Sequence, residues 1–254
     1  MKRSVKPRSG PTPDLPASLR AAWGRRVGSS RGPQPTLMLE PIVRAAATLA
    51  ADEGLDAVSM SRVAAALGVG TMSLYRHVEG KRELLALMVD SAFDRAPAPP
   101  APRERWRSAL ARWARAHLAV LRRHRWVVRV PISGPPVTPN QVRWLEHGLS
   151  SLASTRLSGD EKLSVLLLLN GFVRNQAMLE ADLAASEAGN AAMQGMAGYG
   201  QVLSALIDVE RLPAIAALIG DAALGDADGS HDDFEFGLER ILDGVEALVV
   251  QRRR

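Results

Sequence analysis

Apolar residues recur three and four positions apart through most of the chain, and β-branched runs are short. That spacing stacks apolar groups on one face of a helix, so the pattern predicts an all-α protein. Ile42, Ala46, Leu49 and Ala50 make the inner stripe of a helix from Leu39 to Glu53, with Glu40 and Pro41 in its first turn and Gly54 ending it. Met60, Val63, Ala64 and Leu67 mark a short helix, opened by Ser59 as N-cap and closed by Gly68. Leu74 and Val78 face inward from the next helix, which starts at Gly70-Thr71, and Leu84, Leu85, Met88 and Val89 stripe another from Lys81 to Phe93.

Further on, Trp106, Leu110, Trp113, His117, Val120 and Leu121 share a broad face between Glu104 and Arg123. A short segment from Trp126 to Val130 is closed by Pro131, and a helix follows from Asn140 to Leu152. Ser158, with Asp160 and Glu161 behind it, opens a long helix to about Glu187. Its stretch Leu163 to Val173 is apolar nearly all round, which predicts a central position. Ala188 to Gly200 reads as mobile, and Val202 to Gly220 as one or two short helices around Pro213. Gly225 to Asp233 reads as an acidic loop, and Phe234 to Gln251 as the last helix.

Composition narrows the classes. The chain has 254 residues, 46% of them apolar, enough for one or two domains with a core. There is no cysteine, which excludes disulfides and thiolate metal sites. The start, MKRSVKPRSG, lacks the apolar stretch of a signal peptide, and the longest apolar run, Val165 to Leu169, is too short for a bilayer. A cytoplasmic protein without a membrane partner is expected. Four prolines between Pro97 and Pro102 cannot be helical and read as a stiff spacer. The expected layout is therefore a basic, mostly flexible arm over 1–35, a first helical domain over 36–95, a Pro-rich linker over 96–103 and a second helical domain over 104–254. Residues 1–35 hold eight Lys/Arg against Asp14, while the whole chain nets +5, so the basic excess lies at the start. Such an arm suits a phosphate backbone or a minor groove. Within it, Leu15 to Trp23 could form a short helix with Leu15, Leu19 and Trp23 on one face.

The stretch Ser59 to Lys81 reads as two short helices joined by a tight turn, a helix-turn-helix whose second helix enters the DNA major groove. Thr71, Met72 and Ser73 are left to reach base edges, and Tyr75, Arg76 and Lys81 to reach phosphates. Ser61 and Arg62 complete the DNA-facing set. From Ser59 to Arg82 there are four basic residues and one acid, Glu79.

Leu39 to Phe93 closely resembles the DNA-binding domain of TetR-family transcriptional regulators. The resemblance is carried by AA-x-x-L-A-x-x-x-G-L, VAAALGV, T-M-S-L-Y-R-H-V and G-K-x-E-L-L. Gly70 departs from it, where a polar residue is more usual. The rest resembles the tetracycline-repressor-like ligand-binding domain of the same family, more loosely. Here the carriers are W-x-x-x-L at Trp106, LRRHR at Leu121, G-P-x-x-T-x-x-Q at Gly134 and FxFGLExILxGxE in the last helix. The resemblance covers about 37 to 251. It implies a three-helix helix-turn-helix domain, a C-terminal ligand-binding and dimerisation domain, and a homodimeric repressor on a palindromic double-stranded DNA operator, released by a small-molecule effector. A small-molecule-binding protein with a degenerate DNA-binding domain is the other reading.

The last helix supports assembly, since Phe234, Leu238, Ile241, Val245 and Leu248 are spaced four, three, four, three, as in a heptad seam. The family's dimers pair this helix with the long central one. For the effector, the resemblance puts Trp113 and His117 at pocket positions and Leu167, Asn170, Gly171 and Arg174 on the long helix where they could face them. Trp126 and Trp144 add aromatic surface suited to a flat or greasy ligand. His117, His124 and Glu180 could in principle hold a metal. However, His124 suits a helix C-terminus and His117 an apolar face. The tetracycline repressor holds its drug through magnesium, with a loop histidine and a helix glutamate. The loop here reads Val130-Pro131-Ile132-Ser133, and Glu180 alone matches. No metal or other cofactor is therefore expected, and the effector should be metal-independent and largely apolar or aromatic. No G-x-S-x-G, Walker glycine loop or H-E-x-x-H occurs, so catalysis is not expected.

Overall fold

The computed structural model describes residues 16–24, 38–187, 195–220 and 233–252, and the described residues form helices without strands. Their contacts divide the chain into two units: residues to Ala96 with Val130–Trp144, and Pro97–Arg129 with Leu145 onward. The expected boundary lies at the prolines. The structure adds the loop and front half of the helix beyond Val130 to the first unit. No described helix is long and apolar enough to cross a membrane.

The first unit holds α1 (Ala17–Ala22), α2 (Leu39–Glu53), α3 (Met60–Ala66), α4 (Thr71–Tyr75) and α5 (Lys81–Ala92). Most of the predicted stripes form its core, with Ile42, Ala46, Val63, Leu74, Leu84 and Met88 buried; Leu49, Leu67, Leu85 and Val89 are half-buried, and Leu87, outside the predicted stripe, is buried. The local signals act as read. Ser59 Oγ accepts the Arg62 N–H at 3.2 Å, and Gly68 takes φ +65°, a left-handed conformation that costs glycine little. Helix α1 falls within the predicted Leu15–Trp23, of which Leu15 lies outside the described residues. Its docked side differs from the one expected: Ser18 is buried, Leu19 half-buried and Trp23 exposed.

The front of α7 (Pro139–Ser151) belongs to this unit. Thr138, Pro139 and Gln141 make a capping arrangement, with the Gln141 amide donating to Thr138 Oγ1 at 2.8 Å. Asp90, only 6% exposed, accepts the Asn140 and Gln141 backbone N–H groups at 2.9 and 3.0 Å. In return, Asn140 donates to the Asp90 carbonyl at 3.0 Å and Trp144 Nε1 to the Phe93 carbonyl at 2.9 Å. Side chains at each helix end thus satisfy the orphan backbone groups of the other.

The second unit holds α6 (Trp106–Arg123), a 3-10 turn at Arg125–Arg129, the back of α7, α8 (Gly159–Glu187), α9 (Gly195–Leu206), α10 (Pro213–Gly220) and α11 (Asp233–Gln251). The Pro-rich stretch is tied to this unit. Arg112 donates to the Ala98 carbonyl at 2.7 Å and the His147 ring to the Pro97 carbonyl at 2.6 Å, so the spacer is held along its length. Ser158 and Glu161 cap α8 reciprocally. Of the segment read as mobile, 188–194 lies outside the described residues, while Gly195–Gly200 is helical. Most of the acidic loop also lies outside them. Phe234, Leu238, Leu242, Val245 and Val249 of α11 pack inward, with the Phe234 and Phe172 rings stacked at 5.4 Å. A Cβ on Gly237 would lie 2.7 Å from that Phe172 ring, so glycine lets the helices close.

Candidate nucleic-acid interface and effector site

Helix α4 shows how sequence becomes a reading surface. Leu74 and Val78 are fully buried, and this fixes which side faces out. Met72 is 74% exposed, Tyr75 and Arg76 are exposed, and Thr71 and Ser73 are half-buried at the near edge. Val69 N–H donates to the Ala64 carbonyl at 3.0 Å and Ser73 N–H to the Gly70 carbonyl at 2.9 Å, so the turn and the helix start are hydrogen-bonded. Lys81 is exposed at the first turn of α5. Glu83 folds back over that turn, its carboxylate accepting the Glu79 N–H. Ser61 is exposed and its hydroxyl lies 3.1 Å from that of Ser59. Arg62 is turned differently from expectation. Its guanidinium holds both carboxylate oxygens of Glu53 at 2.6 and 2.7 Å, which directs its charge toward the end of α2.

In the second unit, α6 and α8 bring part of the expected pocket set together. Trp113 and His117 are buried with their rings edge to face at 5.2 Å. Arg174 lies beside them. Burial pulls the His117 imidazole down to about 3, and the positive charge of Arg174 adds to the effect. Burial also lowers the Arg174 guanidinium, which donates to the Val128 carbonyl at 3.3 Å. Asn170, one turn before Arg174, is half-buried, and Trp126 is buried against His124.

Three expected pocket residues are corrected. Leu167 is 72% exposed and Gly171 is exposed, because the face of α8 turned inward carries Val165, Leu166, Leu169 and Val173. Leu166 is the residue against the site: its methyls lie 2.9–3.0 Å from a Cβ placed on Gly148, with Trp113 at 3.3 Å from the same point. Trp144 belongs to the first unit, where it packs edge-on to Phe93 at 5.3 Å and donates to its carbonyl.

Two further expectations meet the geometry. The Glu180 carboxylate is held by the Arg122 fork at 2.7 and 2.8 Å and by Gln176 at 3.0 Å, and Arg122 keeps it below the usual carboxylate range. In the heptad set, Phe234, Leu238 and Val245 are buried in the chain's own core, so they are not available to a second chain; Ile241 and Leu248 are half-buried. Asp90 and Glu83, both structurally central, were missed. Asp90 takes its partners from about fifty residues away, and Glu83 joins the nearby Glu79 N–H to the distant Ser18 hydroxyl; the local sequence marks both as ordinary helix carboxylates.

A fold of this kind, with an exposed second helix of a helix-turn-helix and a mainly helical second unit, agrees with the comparisons. Residues 42–88 match the model for bacterial regulatory proteins of the TetR family, and residues 98–249 that for the tetracycline repressor-like C-terminal domain. The chain belongs to the TetR family and is a DNA-binding transcriptional repressor regulated by a small-molecule effector. It is 39% identical over 243 residues to the HTH-type transcriptional repressor DrrR1 of Streptomyces coeruleorubidus, covering 94% of this chain and 88% of that one. It is also similar to apo ActR of Streptomyces coelicolor, with a TM-score of 0.71, 29% identity, and 87% and 99% of the two chains covered. The same protein in complex with actinorhodin gives a TM-score of 0.70 at 29% identity, with 84% and 97% covered. The family is one of regulators rather than enzymes.

Proposed function

We propose that the chain works as a cytoplasmic homodimer that reads a palindromic operator with Thr71, Met72, Ser73 and Arg76, holds phosphates with Ser61, Tyr75 and Lys81, and lets go when an apolar or aromatic effector binds. The observation that carries this reading is the complete burial of Leu74 and Val78, which turns Met72, Tyr75 and Arg76 outward on a helix of the right kind. Two-fold symmetry would set two such helices about one DNA turn, or a multiple, apart. The dimer face is the exposed apolar side of α8, with Leu163, Leu167 and Leu168, together with Phe236, Ile241 and Leu248 of α11.

The effector site is built on Trp113, His117 and Trp126 as walls, with Asn170 and Arg174 as polar contacts. Aromatic walls with a few converging polar groups are the usual make-up of a small-molecule site. The neutral His117 ring can donate and accept one hydrogen bond each. The ActR complex with actinorhodin supports a ligand-bound state of this fold. Capture of Glu180 by Arg122 supports recognition without a metal ion. Release requires the effector to favour the DNA-incompetent conformation, since only a difference in affinity shifts a population. The lever is α5, which follows the recognition helix and is tied to the start of α7 through Asp90.

The test is to select genomic fragments bound by the purified chain, map their half-site spacing, and screen ligands by tryptophan fluorescence with and without chelator. Inverted half-sites one turn or a multiple apart, and a ligand that releases them in chelator, are expected. Direct repeats, or an effector that needs magnesium, would overturn the reading.

A further inference from the structure

The chain has eight methionines and no cysteine, so its only sulphur open to oxidation is thioether sulphur. Met60 and Met88 are buried in the core of the first unit. Among the described side chains, Met72 is the most exposed methionine, at 74% against 66% for Met38 and 39% for Met178. It is the second residue of α4, and Tyr75 and Arg76 follow at three and four positions, so the three side chains share one helix face. Burial of Leu74 and Val78 turns that face outward. Met38 precedes α2, and Met178 lies on α8 in the other unit. Of these three, Met72 alone combines exposure with a place on the reading helix.

A thioether is apolar and pliant, and it tolerates burial against a base edge or a thymine methyl. A sulfoxide is polar and chiral. Its oxygen accepts hydrogen bonds and has no proton to donate, and it carries partial negative charge toward a duplex whose phosphates are negative. The thymine methyl that suits a thioether offers that oxygen no donor. The oxygen would therefore give up water in the groove without a replacement.

We propose that Met72 is a reversible oxidation site through which a peroxide releases the chain from its operator. This rests on the DNA-reading assignment above. The step is a two-electron oxygen transfer. The sulphur lone pair attacks one peroxide oxygen, and the S–O bond forms as the O–O bond breaks. The hydroxide set free takes the proton left on the transferred oxygen and departs as water. Sulphur is oxidised and the peroxide is reduced; methionine sulfoxide reductase reverses the change. The side chain faces solvent above the buried Leu74, so the added oxygen leaves the packing of α4 in place. Bound DNA covers the same sulphur, so the free chain is the form that is oxidised.

The test treats the full chain with a hydrogen peroxide series and locates sulfoxides by peptide mass spectrometry. Operator affinity is measured by fluorescence anisotropy before and after. The wild type should lose about tenfold or more in affinity as Met72 gains one oxygen, keep its melting profile, and recover with methionine sulfoxide reductase. Met72→Leu removes a reading side chain and sets its own baseline, so it is compared with itself; treatment should leave that baseline unchanged. Met38→Leu/Met178→Leu should stay as sensitive as the wild type. Operator present during treatment should slow oxidation of Met72 relative to Met178. Unchanged affinity in chains carrying Met72 sulfoxide, an equal loss in Met72→Leu, or a loss that follows a lowered melting point overturns the site. If untreated Arg76→Ala/Lys81→Ala binds as the wild type does, the reading of α4 fails and the oxidation site with it. If that variant loses binding while the Met72 sulfoxide form does not, the oxidation site alone falls.

Discussion

Acid should loosen the second unit through one imidazole. His117 is 7% exposed, set edge-on to Trp113, and beside the positive Arg174. Burial first and Arg174 second pull it from the ordinary 6.5 down to about 3. Between these values the folded chain keeps it neutral while the unfolded chain takes up a proton. The unfolded state then binds more protons, so stability rises with pH. The contribution is complete above 6.5 and is lost as pH falls toward 3, at about 1.4 kcal/mol per pH unit. From pH 6.5 to 5 this is about 2 kcal/mol, a large share of the stability of an ordinary domain. Urea unfolding of the wild type and of His117→Gln, followed by tryptophan fluorescence at several pH values, isolates it, because the carboxylates titrate in both. The wild type should lose about 2 kcal/mol more than the variant over that window. Equal pH dependence of the two would refute the buried neutral imidazole.

Two other changes follow from named contacts. Asp90→Ala leaves two first-turn N–H groups of α7 without their acceptor and should cost about 2–4 kcal/mol in urea unfolding, with Asp90→Asn costing less because an amide oxygen still accepts. Leu167→Arg should leave the monomer fold intact, since the side chain is exposed, yet shift sedimentation from dimer toward monomer; an unchanged dimer would rule out this face of α8.

What could be read in advance was what neighbouring residues decide. Ser59, Gly68, Leu74 and Val78 act within one turn of themselves, so the helix-turn-helix and its outward face were legible. The inward face of α8 was not. Leu163 to Val173 is apolar on all sides, so periodicity gives no phase, and Leu166 rather than Leu167 faces Trp113. In α11, the heptad set shares Phe234, Leu238 and Val245 with the stripe that the fold buries, and sequence alone does not say whose core a seam enters. Trp144 and Asp90 take their roles from partners about fifty residues away. Arg62 takes its direction from Glu53, across a turn whose geometry only the fold supplies.

The most direct test of the account is operator binding by Arg76→Ala/Lys81→Ala. Both side chains are exposed, so the variant should fold as the wild type does. Measured by anisotropy on a selected operator across a salt series, it should lose about 1–3 kcal/mol for the Arg76 contact and about 0.9 in salt slope per Lys81. A folded double variant with wild-type affinity and wild-type slope would contradict the assignment of α4 and the first turn of α5 as the surface that reads DNA.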